Sequence, residues 1–377
     1  MEPARQTGPS SCKQLLALDG GGVRGAISVA FIERIEAICK ERSGRGEAFR
    51  LSDHFDLIGG TSTGAIIGTA LALGLRASEV KELYLRLAPR VFRRSRWRLS
   101  LVQTIFDATV LQREIAGIVG DRRLDTPDLR THLAIVMKRM DTGGTWIITN
   151  CPHAKFWDDP ADGSYIGNKH FRLASLVRAS TAAPYFFAPE EVSVMDGRPP
   201  GVFIDGGLTP HNNPSLALLQ VATIPAYGFH WPVGADKLHI VSVGTGSHRL
   251  CIGRTAARRM LAAQFAARSL VTMIGDNSTQ VLTMMQILGR SHTPWTINTE
   301  VGDLDGFLLP SDPLFTFQRY DLLLSRAWLR AELNLKLSDR EVERLYAMDN
   351  AESIPLLYEM GQAAAAKLVQ PEHLLPA

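Results

Sequence analysis

The spacing of hydrophobic and polar positions changes repeatedly along the chain, and each change marks an element. Gln14-Leu-Leu-Ala-Leu-Asp19 is a short apolar run closed by glycines, which predicts a buried strand ending in a turn. From Ala26 to Lys40 the spacing becomes helical, with Ile27, Phe31, Ile35 and Ile38 on one side and Glu33, Arg34 and Glu36 on the other faces. After a polar loop at Ser43 to Glu47, a second strand is expected at Phe55 to Gly59, then a helix at Ala65 to Leu73 and a third helix from Glu79, capped by Ser78. Strand signals recur at Leu133 to Met137, Trp146 to Asn150, Gly201 to Ile204 and Leu238 to Val243, with helical stretches at Leu173 to Ala179 and Ser215 to Ala222. Such alternation predicts an α/β fold with a mostly parallel sheet covered by helices on both faces.

Beyond Val243 the pattern turns helical, at Ala256 to Thr272, Ser278 to Leu288, Tyr320 to Leu335, Asp339 to Tyr346 and Ile354 to Val369. The chain carries no internal repeat and no linker rich in Pro, Gly or Ser. The expectation is therefore a flexible tail at 1–13, an α/β core at 14–250, and a helical extension at 251–377 packed on the same domain.

Composition narrows the function classes. Residues 57–75 hold no charged side chain over 19 positions, long enough to span a membrane, but Gly59-Gly-Thr-Ser-Thr-Gly64 interrupts them and favours a buried strand, turn and helix. With 41 basic against 38 acidic residues and a net charge of +3, the chain lacks the charge excess of a nucleic-acid polymer binder. Cys12, Cys39, Cys151 and Cys251 form no CxxC pair, so neither a metal site nor a disulfide framework is expected, and a reducing cytoplasm fits. The N-terminal residues lack the apolar core of a cleaved secretory signal.

Gly60-Thr-Ser62-Thr-Gly64 matches G-x-S-x-G between a predicted strand and a predicted helix. In that context the glycines permit a tight elbow that lifts the Ser62 hydroxyl clear of the sheet, although a plain turn of small residues fits the same pentapeptide. Gly20-Gly21-Gly22-Val23-Arg24-Gly25 follows the first strand and opens the first helix, as a dinucleotide fingerprint would. The acidic residue such a site wants on the second strand is missing, since that strand ends in the serine elbow. Backbone N–H groups of the same loop would instead serve as an oxyanion hole, with Arg24 either reinforcing the charge or bracing the loop. Val202-Phe-Ile-Asp205-Gly206-Gly207 delivers a carboxylate from a short strand into a glycine turn. Asp205 is thus one candidate partner for Ser62, and His132 and His211 are rivals for a Ser-His-Asp triad.

Taken together, Asp19-Gly-Gly-Gly-Val-Arg-Gly25, Gly60-Thr-Ser-Thr-Gly64 and Asp205-Gly-Gly207 resemble the three signature blocks of the patatin-like phospholipases, in the family's order. Arg178-Ala-Ser-Thr-Ala-Ala-Pro184 resembles the family's Ala-Ser-x-Ala-Ala-Pro segment and Val243-Gly-Thr-Gly246 its late strand-turn, so the likeness extends over roughly residues 14 to 250. The resemblance implies a three-layer α/β/α fold and a Ser-Asp dyad cleaving acyl esters of lipids without a cofactor. Ser62 would be the nucleophile, Asp205 the proton acceptor, and Gly20, Gly21, Gly22, Arg24 and Gly25 the oxyanion loop. Gly207 stands where many members have Ala.

Arg90-Val-Phe-Arg-Arg-Ser-Arg-Trp-Arg98 places five arginines among nine residues beside aromatic side chains, a mixture suited to anionic lipid head groups or to a solvated loop. The Met-bearing stretches Met260 to Met273 and Val281 to Leu288 read as core or as an acyl-chain channel. The expected function is release of fatty acids from phospholipids or other acyl lipids. The alternative is a signal-gated effector of the same fold, activated by a cyclic nucleotide and degrading membrane phospholipids in anti-phage defence.

Overall fold

A computed structural model describes residues 12–92, 104–248, 254, 258, 260 and 262–375 of the 377-residue chain. Most of the tail expected at 1–13 and the arginines at 93–98 lie outside the described residues. Among the described residues, nine strands form one mixed sheet: β1 (Lys13–Leu18), β2 (Leu57–Thr61), β3 (His132–Arg139), β4 (Thr145–Thr149), β5 (Glu190–Val192), β6 (Gly201–Asp205), β7 (Leu238–Val243), β8 (Arg290–Thr293) and β9 (Thr316–Tyr320). They run in the order β5-β6-β3-β2-β1-β7-β9-β8, with β4 paired to β3. The central pairs β3-β2, β2-β1, β1-β7 and β7-β9 are parallel. Their strands are nearly continuous apolar runs because helices cover both faces.

The helices are α1 (Gly25–Ser43), α2 (Thr63–Ala72), α3 (Ala77–Val91), α4 (Ala108–Val119), α5 (Leu173–Ser180), α6 (Ser215–Thr223), α7 (Ala262–Leu288), α8 (Arg326–Leu333), α9 (Asp339–Tyr346) and α10 (Ile354–Leu368). On one face, α1 buries Ile27, Phe31, Ile35 and Ile38 in a cluster shared with α2, α3 and the C-terminal helices. There α10 lies so close to α1 that a Cβ on Gly361 would come within 2.9 Å of Ala30 Cβ. On the opposite face, Leu218 and Val221 of α6 and Val281 and Met285 of α7 pack with Leu15, Leu57 and Phe317. No helix among the described residues is long and apolar enough to cross a membrane. The uncharged run 57–75 is β2 and α2, buried from Leu57 to Ala72 except at Ser62.

Four expectations need correction. The stretch after Val243 is not wholly helical: Arg290–Thr293 and Thr316–Tyr320 add two strands to the sheet, so the C-terminal third is part of the core layer. The helix expected from Tyr320 begins only at Arg326, because Phe317 and Tyr320 are buried beside β7 and the chain must first leave the sheet. The two helices expected at 256–272 and 278–288 merge into α7 where they are described, since Gly275 continues the helix without neighbours to clash with. Ser78 does not cap α3, which starts at Ala77, where the Glu79 carboxylate accepts the Arg76 N–H at 2.8 Å.

Strand register places the site. On one edge of β3, β4 pairs with Ala134 to Lys138. The other edge is shared end to end: parallel β2 stops with Thr61 opposite Val136, and antiparallel β6 arrives with Asp205 opposite Met137. Two strands far apart in sequence therefore finish against consecutive residues of a third, and the residue after Thr61 is Ser62.

Candidate active site

The turn from β2 into α2 is tight enough to require glycine on both sides. A Cβ on Gly60 would fall 2.1 Å from Gly64 O, and one on Gly64 would fall 2.1 Å from Leu18 O. Between them Ser62 has φ 55° and ψ −123°, a conformation that L-residues rarely adopt and that persists where the surrounding structure imposes it. Ser62 is not buried with its neighbours, and its Oγ donates to Asp205 Oδ2 at 2.6 Å. The other carboxylate oxygen accepts the Gly207 N–H at 2.7 Å, which fixes the Asp205 rotamer.

The end of α5 ties the two residues together. Ser180 Oγ accepts the Ser62 N–H at 2.9 Å and donates to Val136 O at 2.6 Å, while Ala182 O accepts the Asp205 N–H at 3.0 Å. Asp205 is only 5% exposed, and this burial pushes its carboxyl up from 3.8 to about 6, although the Ser62 and Gly207 hydrogen bonds and the Arg178 charge pull the other way. Such a carboxylate is ionised at neutral pH yet basic enough to take a proton from a serine hydroxyl.

Of the five expected oxyanion residues, three have their N–H groups engaged. Gly20 N–H donates to Asn212 O at 3.1 Å, Arg24 N–H to Gly21 O at 3.2 Å, and Gly25 N–H to Gly22 O and Val23 O. Among the described residues, the N–H groups of Gly21 and Gly22 have no acceptor. The Gly20 carbonyl is held by Thr245 Oγ1 at 3.0 Å and Asn212 Nδ2 at 3.3 Å, so the Gly21 N–H across the same trans peptide points away from both. The Gly22 carbonyl accepts from Thr63 Oγ1 at 3.1 Å and from Tyr84 Oη. Arg24 is a brace: its Nη1 donates to Gly246 O at 3.1 Å and meets His248 Nδ1 at 2.7 Å, and burial lowers its pKa to about 10.

Beneath the loop lies a charge cluster that sequence reasoning missed. Asp19, at the end of β1, forms two hydrogen bonds with Arg319 at 2.7 and 3.1 Å, and Arg319 also reaches Asp321 at 2.8 Å. Asp321 in turn accepts from Gly246 N at 2.8 Å and Ser247 Oγ at 2.6 Å. All three charged residues are at most 5% exposed, so the two carboxylates hold Arg319 firmly protonated and the trio anchors both glycine turns that flank Ser62.

Ser62 Oγ bonds to Asp205 rather than to either histidine expected as a rival. His132 pairs in register with Leu57, four residues before Thr61, and packs on Phe229 with ring centroids 4.6 Å apart. His211 offers its backbone carbonyl to Thr61 Oγ1 at 2.6 Å, while its ring Nδ1 is buried without a partner and burial lowers its pKa.

A cleft of about 2010 Å³ opens over Ser62, Asp205 and the Gly20–Gly22 loop. One wall is apolar, formed by Ile66, Leu87, Val91, Phe92, Leu111 and Phe187. Of the stretches expected as a channel or core, Val281, Leu282 and Met285 are buried, and Leu282 also borders the cleft with Val271.

The family model for patatin-like phospholipases matches residues 16–219. Among curated proteins, the chain is 30% identical over 242 residues to a cGAMP-activated phospholipase of Vibrio cholerae, covering 62% of this chain and 64% of that protein. It is 27% identical over 272 residues to patatin-like protein 1 of Arabidopsis thaliana, covering 65% and 62%. A second cGAMP-activated phospholipase, from Escherichia coli, is 27% identical over 237 residues, covering 62% of each. The matches thus span a little under two thirds of these relatives.

Proposed function

The chain belongs to the patatin-like phospholipase family, and we propose that it is a serine acyl-ester hydrolase that releases fatty acids from phospholipids or related acyl lipids. The observation that carries this reading is the 2.6 Å hydrogen bond from Ser62 Oγ to Asp205 Oδ2 beside the unengaged N–H groups of Gly21 and Gly22. As Ser62 Oγ attacks the ester carbonyl, its proton passes to Asp205, and the carbonyl oxygen takes its negative charge against the Gly21 and Gly22 N–H groups. Collapse expels the alcohol, which leaves with the proton from Asp205, and Ser62 remains acylated. Water then attacks the acyl-Ser62 ester, Asp205 takes its proton, and release of the fatty acid returns that proton to Ser62 Oγ. No step in this scheme calls on a cofactor. The test is hydrolysis of a panel of lipids by the wild-type chain beside Ser62→Ala: loss of every product in the variant supports the reading, and retained hydrolysis removes Ser62 from it.

A second reading concerns control. Two of the relatives are cGAMP-activated phospholipases, which supports a gated effector whose cleavage of membrane phospholipids awaits a cyclic nucleotide, as in anti-phage defence. Assays with and without candidate cyclic dinucleotides separate the two, because a constitutive enzyme gives the same rate in both. The reading includes a cytoplasmic location and peripheral contact with anionic membrane at the inner face through Arg90 to Arg98, whose charges make vesicle binding fall steeply with salt. A flat salt response would leave that segment a solvated loop.

A further inference from the structure

Tyr185 occupies a position that nothing in the hydrolytic scheme uses. It follows Pro184 in the loop after α5, is 64% exposed, and has φ +74°, in the left-handed region that disfavours a bulky side chain. The backbone on both sides is pinned: Ile105 N–H donates to Tyr185 O at 3.1 Å and Phe106 N–H to Phe186 O at 3.0 Å. Burial gain does not explain why a strained position keeps a large aromatic side chain in solvent, and strain of this kind gathers at functional sites.

The surroundings indicate what the ring meets. The Tyr185 ring touches Phe186 edge to face at 5.4 Å, Phe186 stacks on Phe106 at 5.9 Å, and Phe106 packs against Phe187 at 5.6 Å and Phe92 at 5.4 Å. Phe187 and Phe92 belong to the apolar wall of the cleft. Tyr185, Phe186, Phe187 and Phe92 all line the cleft that holds Ser62, with Phe106 wholly buried behind them, so an aromatic wall runs from the exposed tip toward the nucleophile. The arginines at 93, 94, 96 and 98 belong to the segment joining Phe92 to Thr104. Its N-terminal end is the Phe92 of this cluster, and its C-terminal end leads directly into the pinned Ile105 and Phe106.

We infer that the Pro184-Tyr185-Phe186 tip is a lipid-surface docking element: Tyr185 seats at the head-group boundary, and the aromatic surface behind it receives an acyl chain drawn toward Ser62. A tyrosine suits that boundary because its ring is apolar and its hydroxyl stays wet. A soluble protein partner would need no aromatic lining that leads from the tip to the nucleophile.

The inference rests on the acyl-hydrolase reading, and the experiment separates the two. Tyr185→Gly and Tyr185→Trp are assayed on a soluble short-chain p-nitrophenyl ester and on phosphatidylcholine vesicles with and without phosphatidylglycerol. Sedimentation with the same vesicles is measured in a Ser62→Ala background. The glycine variant relieves the backbone strain, so it stays folded. Its rate on vesicles is expected to fall at least tenfold more than its rate on the soluble ester, with a matching loss of sedimentation. The tryptophan variant keeps vesicle activity, and its emission shifts to the blue on adding vesicles. Equal losses on both substrates, or undiminished vesicle binding by the glycine variant, would overturn the inference, as would tip-dependent binding to a protein but not to vesicles. If the wild type cleaves neither substrate, the hydrolase reading fails, and sedimentation alone decides whether the tip docks on lipid.

Discussion

Asp205→Asn should abolish hydrolysis and yet make the protein more stable at alkaline pH, by an amount that shrinks as the pH falls. The wild-type carboxyl is raised from 3.8 to about 6 by burial. Holding it ionised in the fold thus costs about 3 kcal/mol above pH 6, at about 1.4 kcal/mol per pKa unit. For a carboxyl raised on folding, that cost is fully present above the folded pKa and vanishes below the unfolded one, so the window runs from about pH 6 down to 3.8. Asparagine removes the charge and can still accept from Gly207 N–H and donate to Ser62 Oγ, but it replaces two charge-assisted hydrogen bonds with neutral ones, which costs about 1–2 kcal/mol. The net expectation is a gain of about 1–2 kcal/mol at pH 8, turning into a loss of about 1 kcal/mol near pH 4. Urea unfolding of both chains across this range gives the difference directly, because all other titrating groups are shared. A difference that stays constant with pH would refute the claim that the fold holds a strained, ionised carboxylate at Asp205.

The same group governs rate. Below pH 6, kcat/KM should fall about tenfold per pH unit as Asp205 is protonated; a profile flat to pH 5 would exclude it as the base. Gly22→Ala should cut hydrolysis on the order of a hundredfold or more by displacing the loop, since Gly22 has φ +57° and a Cβ there would come within 2.2 Å of Met348 O. Full activity in that variant would move the oxyanion donors elsewhere. Arg319→Met should destabilise the protein by about 3–5 kcal/mol, because it leaves Asp19 and Asp321 as unpaired buried carboxylates. An unfolding free energy within 1 kcal/mol of wild type would show that the trio does not brace the loops.

The strand-turn-helix around Ser62 could be read from sequence because every residue from Leu57 to Ala72 but one is buried, which makes the apolar run continuous and the glycines conspicuous. The loop at Gly20 was legible for the same reason. Which of its N–H groups stay unengaged was not, since that depends on Asn212, Thr245 and Met348, all distant in sequence. Asp205 could be picked out by its glycine turn, but the way it reaches Ser62 could not: β6 runs antiparallel and meets the end of β2 along β3, a register set only by tertiary pairing. Ser180 sits at the end of a short helix with no local signal of its two hydrogen bonds. Arg319 concealed β9, because a charged residue inside Thr316-Phe-Gln-Arg-Tyr320 breaks the apolar run that identifies a buried strand, and only its pairing with Asp19 and Asp321 makes that burial tolerable.

The most direct test of the dyad is reaction of the intact protein with a fluorophosphonate, read by peptide mass spectrometry. Ser62 should be the single labelled residue in the wild type, and labelling should slow by at least a hundredfold in Asp205→Asn, where no base takes the hydroxyl proton. Labelling of a different serine, or labelling of Ser62 at an undiminished rate in Asp205→Asn, would contradict a nucleophile activated by Asp205.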